Sequence, residues 1–382
     1  MSPICARQIR YVLCRAQMGL TGSNYYYSGA NTLPPAATGG GFAWNNQQGN
    51  PKLESETADT WTAGFVLQSP WENAWLHGLS LTADWYQIKM ENVIEPYSVD
   101  YARYLCYGTV QVTDATSAAA QATSTACLNV PRSSTQGGAL TQLLQYSNQA
   151  TVDTSGVDFA VNWFANLGDL GLSKIPGGIG LNIQGTWLDH YTTKLSPASY
   201  DVPTDWKGSL GPTIPGFNAG AYSYRLFSSL SYNLPTMNFS FRWRYLPQVD
   251  QASKATENAI KENNARVTAG GAGTLLSYTP VTVQPTPAYS TFDFSFNWNV
   301  TEKYSIRAGV DNVFDKDPEI AGNTANTLGY PAGTNLAAVC GGAPGCQNPT
   351  TYTLPSTGQG ITSGGYYDTL GRRWYVGVKA DF

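Results

Sequence analysis

The 382-residue sequence predicts an all-β fold: a partial antiparallel transmembrane β-barrel of about nine strands with long loops on one side. Three observations predict it. Nine segments alternate apolar and polar residues. One face of each segment carries no charge in its middle. The connections alternate between short and long.

Composition sets the class. Aromatic and charged residues each make up 13% of the chain, whereas a soluble domain is about 25% charged. Mean hydropathy is -0.26, and no apolar run is long enough to make a membrane-spanning helix. Many aromatics, few charges and no long apolar stretch fit a barrel, whose strands average lipid-facing with lumen-facing residues. Net charge is -4 without a Lys/Arg cluster, so no nucleic-acid partner is expected.

The clearest segment is 291–300. Phe292, Phe294, Phe296, Trp298 and Val300 share one face; Asp293, Ser295, Asn297 and Asn299 share the other. A period of two belongs to a strand, not a helix. The segments in order are 59–68, 79–89, 155–167, 178–192, 221–233, 237–247, 288–300, 303–314 and 372–382. The first four apolar faces read Trp61-Ala63-Phe65-Leu67, Leu79-Leu81-Ala83-Trp85, Val157-Phe159-Val161-Trp163 and Ile179-Leu181-Ile183-Trp187. Next come Tyr224-Leu226-Leu230-Tyr232, Phe239-Phe241-Trp243-Tyr245 and Tyr304-Ile306-Ala308-Val310. The last segment sets Trp374, Val376, Val378, Ala380 and Phe382 on one side. Asp59, Lys89, Asp189 and Arg372 share the apolar parity only at segment ends. The opposite faces hold Asp84, Asp158, Arg225, Arg242, Arg244, Asp293, Arg307, Asp311, Arg373, Lys379 and Asp381. A Lys or Arg facing lipid at mid-bilayer costs about 2–4 kcal/mol, which explains the segregation.

Short connections at 70–78, 168–177, 234–236 and 301–302 alternate with long ones at 93–152, 194–220, 247–287 and 315–371. Outer-membrane barrels have short periplasmic turns and long extracellular loops. Residues 1–58 then form an extracellular loop region and 59–382 the barrel portion. The first and ninth strands both descend, so they cannot close on one another in antiparallel pairing. Strands of the barrel are therefore expected to be missing.

The six cysteines form three local pairs: Cys5 and Cys14, Cys106 and Cys127, Cys340 and Cys346. Their spacing does not fit zinc sites. Disulfides on the extracellular side are expected, and neither a metal nor a cofactor. Met1 to Leu20 contains Arg7, Arg10 and Arg15 without an apolar core, so it does not read as a signal peptide.

Five motifs in order resemble TonB-dependent outer-membrane receptors. They are Glu56-Thr57-Ala58-Asp59-Thr60-Trp61-Thr62-Ala63-Gly64, Leu81-Thr82-Ala83-Asp84-Trp85-Tyr86-Gln87-Ile88 and Thr154-Ser155-Gly156-Val157-Asp158-Phe159. Val310-Asp311-Asn312-Val313-Phe314-Asp315-Lys316-Asp317-Pro318 and the C-terminal Tyr367 to Phe382 complete them. The resemblance implies the last strands of a 22-stranded barrel that takes up a scarce ligand such as a siderophore or oligosaccharide. It implies outer-membrane lipid, the barrel-assembly machinery and an unknown small ligand as partners. Trp374, Val376, Val378 and Phe382 would be the assembly signal. No plug domain or TonB box is recognised, so TonB is a partner only where a plug is supplied, and transport by this chain alone is not expected.

No catalytic constellation is visible. His77 falls in a short turn and His190 near a strand top, and no enzyme is expected. The loop aromatics Tyr25, Tyr26, Tyr27, Trp44 and Trp206 are candidates to stack on a ligand, against packing within their own loops. Residues 253–266 read as a short exposed helix or as unstructured. Two rival classes stay open: an outer-membrane barrel hydrolase, favoured by a Ser–His or His–acid pair near a rim, and a secreted β-rich adhesin or ligand-binding domain.

Overall fold

The computed structural model describes residues 8–27, 45–108, 112, 114–134, 140–198, 201–214, 217–218, 220–278, 280, 285–319, 323–324, 354–355 and 367–381. In chain order the elements are α1 Gln8–Tyr27, β1 Asn45–Gln48, β2 Thr57–Gln68, β3 Leu79–Pro96, α2 Val99–Tyr107, α3 Ala115–Ala122, α4 Thr125–Leu128, β4 Gln142–Asn166 and β5 Gly178–Lys194. Then come β6 Thr204–Asp205, β7 Thr213–Ile214, β8 Phe217–Asn218, β9 Tyr224–Asn233, β10 Met237–Leu246, α5 Ala252–Thr268, β11 Tyr289–Asn299, β12 Tyr304–Asp311, β13 Asn323–Thr324, β14 Leu354–Pro355 and β15 Arg373–Ala380.

All nine expected segments are strands of one sheet, ordered β15-β12-β11-β10-β9-β5-β4-β3-β2, with β1 on β4 and β6 on β5. Each long strand pairs with its neighbour in sequence. Among the described residues the sheet is open, with β2 and β15 as its edges. Pairing is antiparallel from β5 to β15, and β1 joins β4 in parallel.

The register brings the apolar faces together. Phe239 faces Tyr232 and Phe296, and Phe241 faces Leu230 and Phe294. Val310 faces Phe294 and Trp374, and Ile306 faces Trp298 and Val378. The Phe239 and Phe296 rings lie 4.9 Å apart and the Phe241 and Phe292 rings 5.5 Å. Burial is inverted relative to a soluble sheet. On β11 the polar positions Thr291, Asp293 and Ser295 are buried, Asp293 at 3% exposure, while Phe294 between them is 36% exposed. An apolar face turned outward over a buried polar one suits a lipid surround.

Two strands exceed the expected bounds. A tilted strand of 9–11 residues spans a bilayer. β4 begins at Gln142, well before the expected 155, and β3 runs to Pro96. The motif at Thr154 to Phe159 therefore lies inside a strand rather than at its start. At the start of β4 burial follows the helical core instead, with Gln142, Leu144 and Ala150 buried, so the lipid-driven contrast that marks the other strands is lost.

The chain divides into two compact units: residues 1–58, 90–151 and 194–201, and residues 59–89, 152–193 and 202–382. The first corrects the expectation of plain loops. Leu13, Cys14 and Met18 of α1 join Ala102, Cys106, Tyr107, Ala118, Cys127, Val130 and Leu144 in a buried core. Helix α1 is interrupted at Gly19, whose φ of 68° favours glycine. Ser98, Asp114 and Ser124 cap the N-termini of α2, α3 and α4 with their side chains. A disulfide joins Cys106 to Cys127. Cys14 is disulfide-bonded too. Gln17 Nε2 donates to the carbonyls of Cys127 and Val130, both at 2.9 Å.

In the second unit α5 is a regular helix over the segment that read as helical or unstructured. Its Glu257 is buried between Lys254 and Lys261, at 3.0 and 2.6 Å.

Candidate functional site

The polar face of the second unit gathers the charges that parity places there. Arg242 stands opposite Asp293, and Asp311 opposite Arg373. Arg244 Nη2 donates to both oxygens of Asp293, at 2.8 and 3.1 Å. Asp293 Oδ1 also accepts the Asn312 backbone N–H at 3.0 Å. Arg242 turns to Asp311 at 3.8 Å, and Arg373 bridges Asp311 at 3.6 Å and Asp368 at 3.4 Å.

The family-like segment at Val310 to Pro318 positions this network. Asn312 takes a positive φ of 52° and is fully buried. Its side chain accepts from Lys316 N at 2.8 Å and donates to Lys316 O at 2.9 Å, closing the turn after β12. Tyrosines complete the wall. Tyr367 packs edge-on to Tyr289 at 5.0 Å, and its hydroxyl lies 3.0 Å from that of Tyr222.

Of these groups, Arg244, Arg373, Asp368, Tyr289 and Tyr367 line a cavity of about 830 Å³, together with Asp84, Asp158 and Arg225. Three acids against three arginines balance the charge of a lining that also carries Phe159, Leu226, Phe227, Leu246 and Leu370.

Near the C-terminal end of β5, His190 joins β4 to β5. Its Nε2 lies 3.0 Å from Asp153 Oδ1, and its Nδ1 lies 3.2 Å from Asp189 Oδ2 and 3.0 Å from Ser155 Oγ. Lys89 approaches Asp153 at 3.7 Å. Burial pulls the imidazole pKa down, but hydrogen bonds and charge from the two carboxylates outweigh it and the pKa is raised. The Ser–His–Asp composition invites a hydrolytic reading, which the geometry disfavours. Ser155 is buried and donates its hydroxyl proton to Asp189 at 2.9 Å. A serine nucleophile must instead be open to substrate and give its proton to the imidazole.

Trp206 is 6% exposed. It packs with Ala221, Ala255, Leu188 and Tyr191, and its Nε1 donates to Thr193 Oγ1 at 2.8 Å. It is packed as loop core rather than presented as an exposed aromatic. Tyr25, Tyr26 and Tyr27 end helix α1 rather than lie in a loop. Trp44, Cys5, Cys340, Cys346 and Phe382 lie outside the described residues. Trp374, Val376 and Val378 are fully outward on edge strand β15. His77 sits in the turn between β2 and β3. The Tyr222–Tyr289–Tyr367 cluster was missed, because no spacing in the sequence connects a loop residue at 367 with strand ends at 222 and 289.

A family model described as TonB dependent receptor-like, beta-barrel matches residues 17–313. The ferrienterobactin receptor of Escherichia coli (strain K12) is 36% identical over 103 residues, which is 27% of this chain and 11% of that protein. Among solved structures, the ferric enterobactin receptor of Pseudomonas aeruginosa has a TM-score of 0.47 at 12% identity, over 88% of this chain and 32% of that one. The siderophore receptor PirA of Acinetobacter baumannii has a TM-score of 0.40 at 14% identity, over 88% of this chain and 33% of that one. The chain thus spans about a third of these solved relatives and about a tenth of the curated one. With the family model matching more than three quarters of its length, the chain belongs to the TonB-dependent receptors of the Gram-negative outer membrane, within their β-barrel.

Proposed function

We propose that the chain builds part of the wall of an uptake receptor for a ferric siderophore, with the solute passing on the polar side of the sheet. The observation that carries this is the inverted sheet, with ion pairs on one face, Asp293 buried among them, and exposed aromatics on the other. The ligand class follows the enterobactin receptors to which the chain is similar.

The chain is proposed to act with further strands. The β2–β3 turn closes with Ser69 N on Leu79 O, Phe164 N bonds Gly78 O between β4 and β3, and Leu167 N bonds Gly177 O between β4 and β5. Direction therefore reverses at every step, and β2 and β15 run the same way. An antiparallel closure needs an odd number of additional strands. TonB becomes a partner through a plug, and the barrel-assembly machinery through β15.

The test is uptake of radiolabelled ferric enterobactin by a Gram-negative host lacking its own iron receptors. The chain joined to the plug and earlier strands of the Escherichia coli ferrienterobactin receptor is expected to take it up in an energy-dependent way, and the chain alone is not. Uptake by the chain alone would overturn the partial-wall reading. A folded, heat-modifiable chimera that binds neither a ferric catecholate nor a ferric hydroxamate would overturn the ligand class.

A further inference from the structure

Both ring nitrogens of His190 face a carboxylate. Nε2 lies 3.0 Å from Asp153 Oδ1 on β4, and Nδ1 lies 3.2 Å from Asp189 Oδ2 on β5. A carboxylate only accepts hydrogen bonds, and a neutral imidazole carries a single N–H. The two contacts together therefore fit the imidazolium, which donates from both nitrogens. Ser155 agrees with that state. Its hydroxyl donates to Asp189 Oδ2 at 2.9 Å, which leaves an oxygen lone pair for Nδ1, 3.0 Å away.

The surrounding charges come from three further places. Lys89 of β3 sits 3.7 Å from Asp153 Oδ2, and Gln87 of the same strand bonds that carboxylate. The charge of Lys207 reaches Asp189. Asp205 of β6 is taken up by the backbone N–H groups of Tyr191 and Lys207, both at 3.0 Å. Each carboxylate beside the ring thus has one lysine near it in addition to the imidazolium.

Loss of one proton from the ring turns one of its two contacts into lone pair against lone pair. The geometry decides which one. Ser155 can turn its hydroxyl proton from Asp189 to Nδ1, whereas Nε2 faces Asp153 without a hydroxyl beside it. The neutral ring therefore keeps Nε2–H on Asp153, and Asp189 loses both of its donors. Its remaining counter-charge is Lys207, whose Nζ rests over the Trp187 ring at 4.9 Å.

A short segment hangs on these residues. Thr204 and Asp205 pair with Thr193 and Thr192, just past His190. Trp206 N donates to Tyr191 O at 2.8 Å, and its Nε1 to Thr193 Oγ1 at 2.8 Å. The 204–207 segment is thus laid along β5 between Trp187 and Thr193.

We infer that His190 is a proton-operated latch: while doubly protonated it holds Asp189 on the β4–β5 pair, and loss of its Nδ1 proton hands Asp189 to Lys207 and loosens the 204–207 segment. The latch is independent of the ligand class and responds to the pH of the medium.

The chain has one other histidine, His77, so His77→Gln leaves a single imidazole to observe. The receptor that carries this chain, with ¹⁵N in its histidine rings, is followed in detergent by proton–nitrogen correlation spectra over a pH series. Both ring nitrogens are expected to be protonated in mildly acidic buffer, with Nδ1 losing its proton first as pH rises. A ring already neutral in mildly acidic buffer, or one that gives up the Nε2 proton first, overturns the latch. Trypsin cleavage after Lys207 reads the coupling. In mildly acidic buffer it is expected to be about tenfold slower in wild type than in His190→Gln, the effect of one charge-assisted hydrogen bond, and the two rates should converge in alkaline buffer. Equal rates at every pH overturn the coupling to 204–207. The nitrogen spectra need only the His77→Gln background, so they decide the protonation state even where His190→Gln does not fold.

Discussion

Arg244 and Asp293 meet diagonally across β10 and β11, although Arg242 is the residue that stands directly opposite Asp293. Asp293 is almost fully buried and Arg244 is half exposed. The choice leaves Arg242 for Asp311, so two rows of charge on three strands are joined without an unpaired carboxylate at Asp293 or Asp311.

The asymmetry of that pair predicts an order of damage. Arg244→Ala leaves Asp293 buried with only the Asn312 N–H, whereas Asp293→Asn keeps a hydrogen-bonding group and frees an arginine that water already reaches. The first is expected to cost about 1–3 kcal/mol after allowance for screening on the Arg244 side, and the second less. Urea unfolding of the folded receptor in detergent checks the order.

The sidedness of β11 predicts a second contrast. Phe294→Arg places a charge at the middle of the apolar face and is expected to cost about 2–4 kcal/mol of assembly. Asn297→Arg on the polar face is expected to change stability by less than about 0.5 kcal/mol. Protease-resistant protein in isolated outer membranes reads both.

His190 predicts a pH dependence. Its folded pKa is raised, so its contribution is complete below the ordinary value of 6.5 and is lost as pH rises through the raised one. Asp153 and Asp189 are lowered. For Asp153 burial opposes the shift, and the His190 hydrogen bond and charge prevail; for Asp189 the Ser155 and His190 bonds lead. Their contributions disappear only as pH falls through values below the ordinary 3.8. Hydrogen exchange at 150–156 and 188–192 is expected to be slower in wild type than in His190→Gln between those limits. The difference should close in alkaline solution.

The helical unit depends on its cross-link. Cys106 and Cys127 are 21 residues apart, and a loop of that length implies about 3 kcal/mol of stabilisation. C106S/C127S is expected to expose 99–128 to limited proteolysis at temperatures the wild type withstands.

The strands were legible because lipid on one face and polar groups on the other impose a contrast that periodicity registers. Where that contrast ends, legibility ends with it. The Gln142 to Thr154 half of β4 packs partly against the helical core, with Gln142, Leu144 and Ala150 buried, and its mixture of Gln, Ser, Asn and Leu shows no lipid-facing contrast. Helices α2, α3 and α4 are one or two turns long, too short for an apolar stripe to repeat. Their caps at Ser98, Asp114 and Ser124 were the available signal. The charges of the polar face were readable from parity, but not the diagonal choice of Arg244 for Asp293, because register is a property of two strands together. Trp206 shows the limit for aromatics: a loop tryptophan reads the same whether it meets a ligand or fills the core under its own loop.

The face assignment is tested most directly by placing a photo-crosslinking residue at Phe294 or at Asn297 and irradiating intact outer membranes. Phospholipid adducts are expected from position 294 and none from position 297. Lipid adducts from 297, or protein adducts alone from 294, would contradict it.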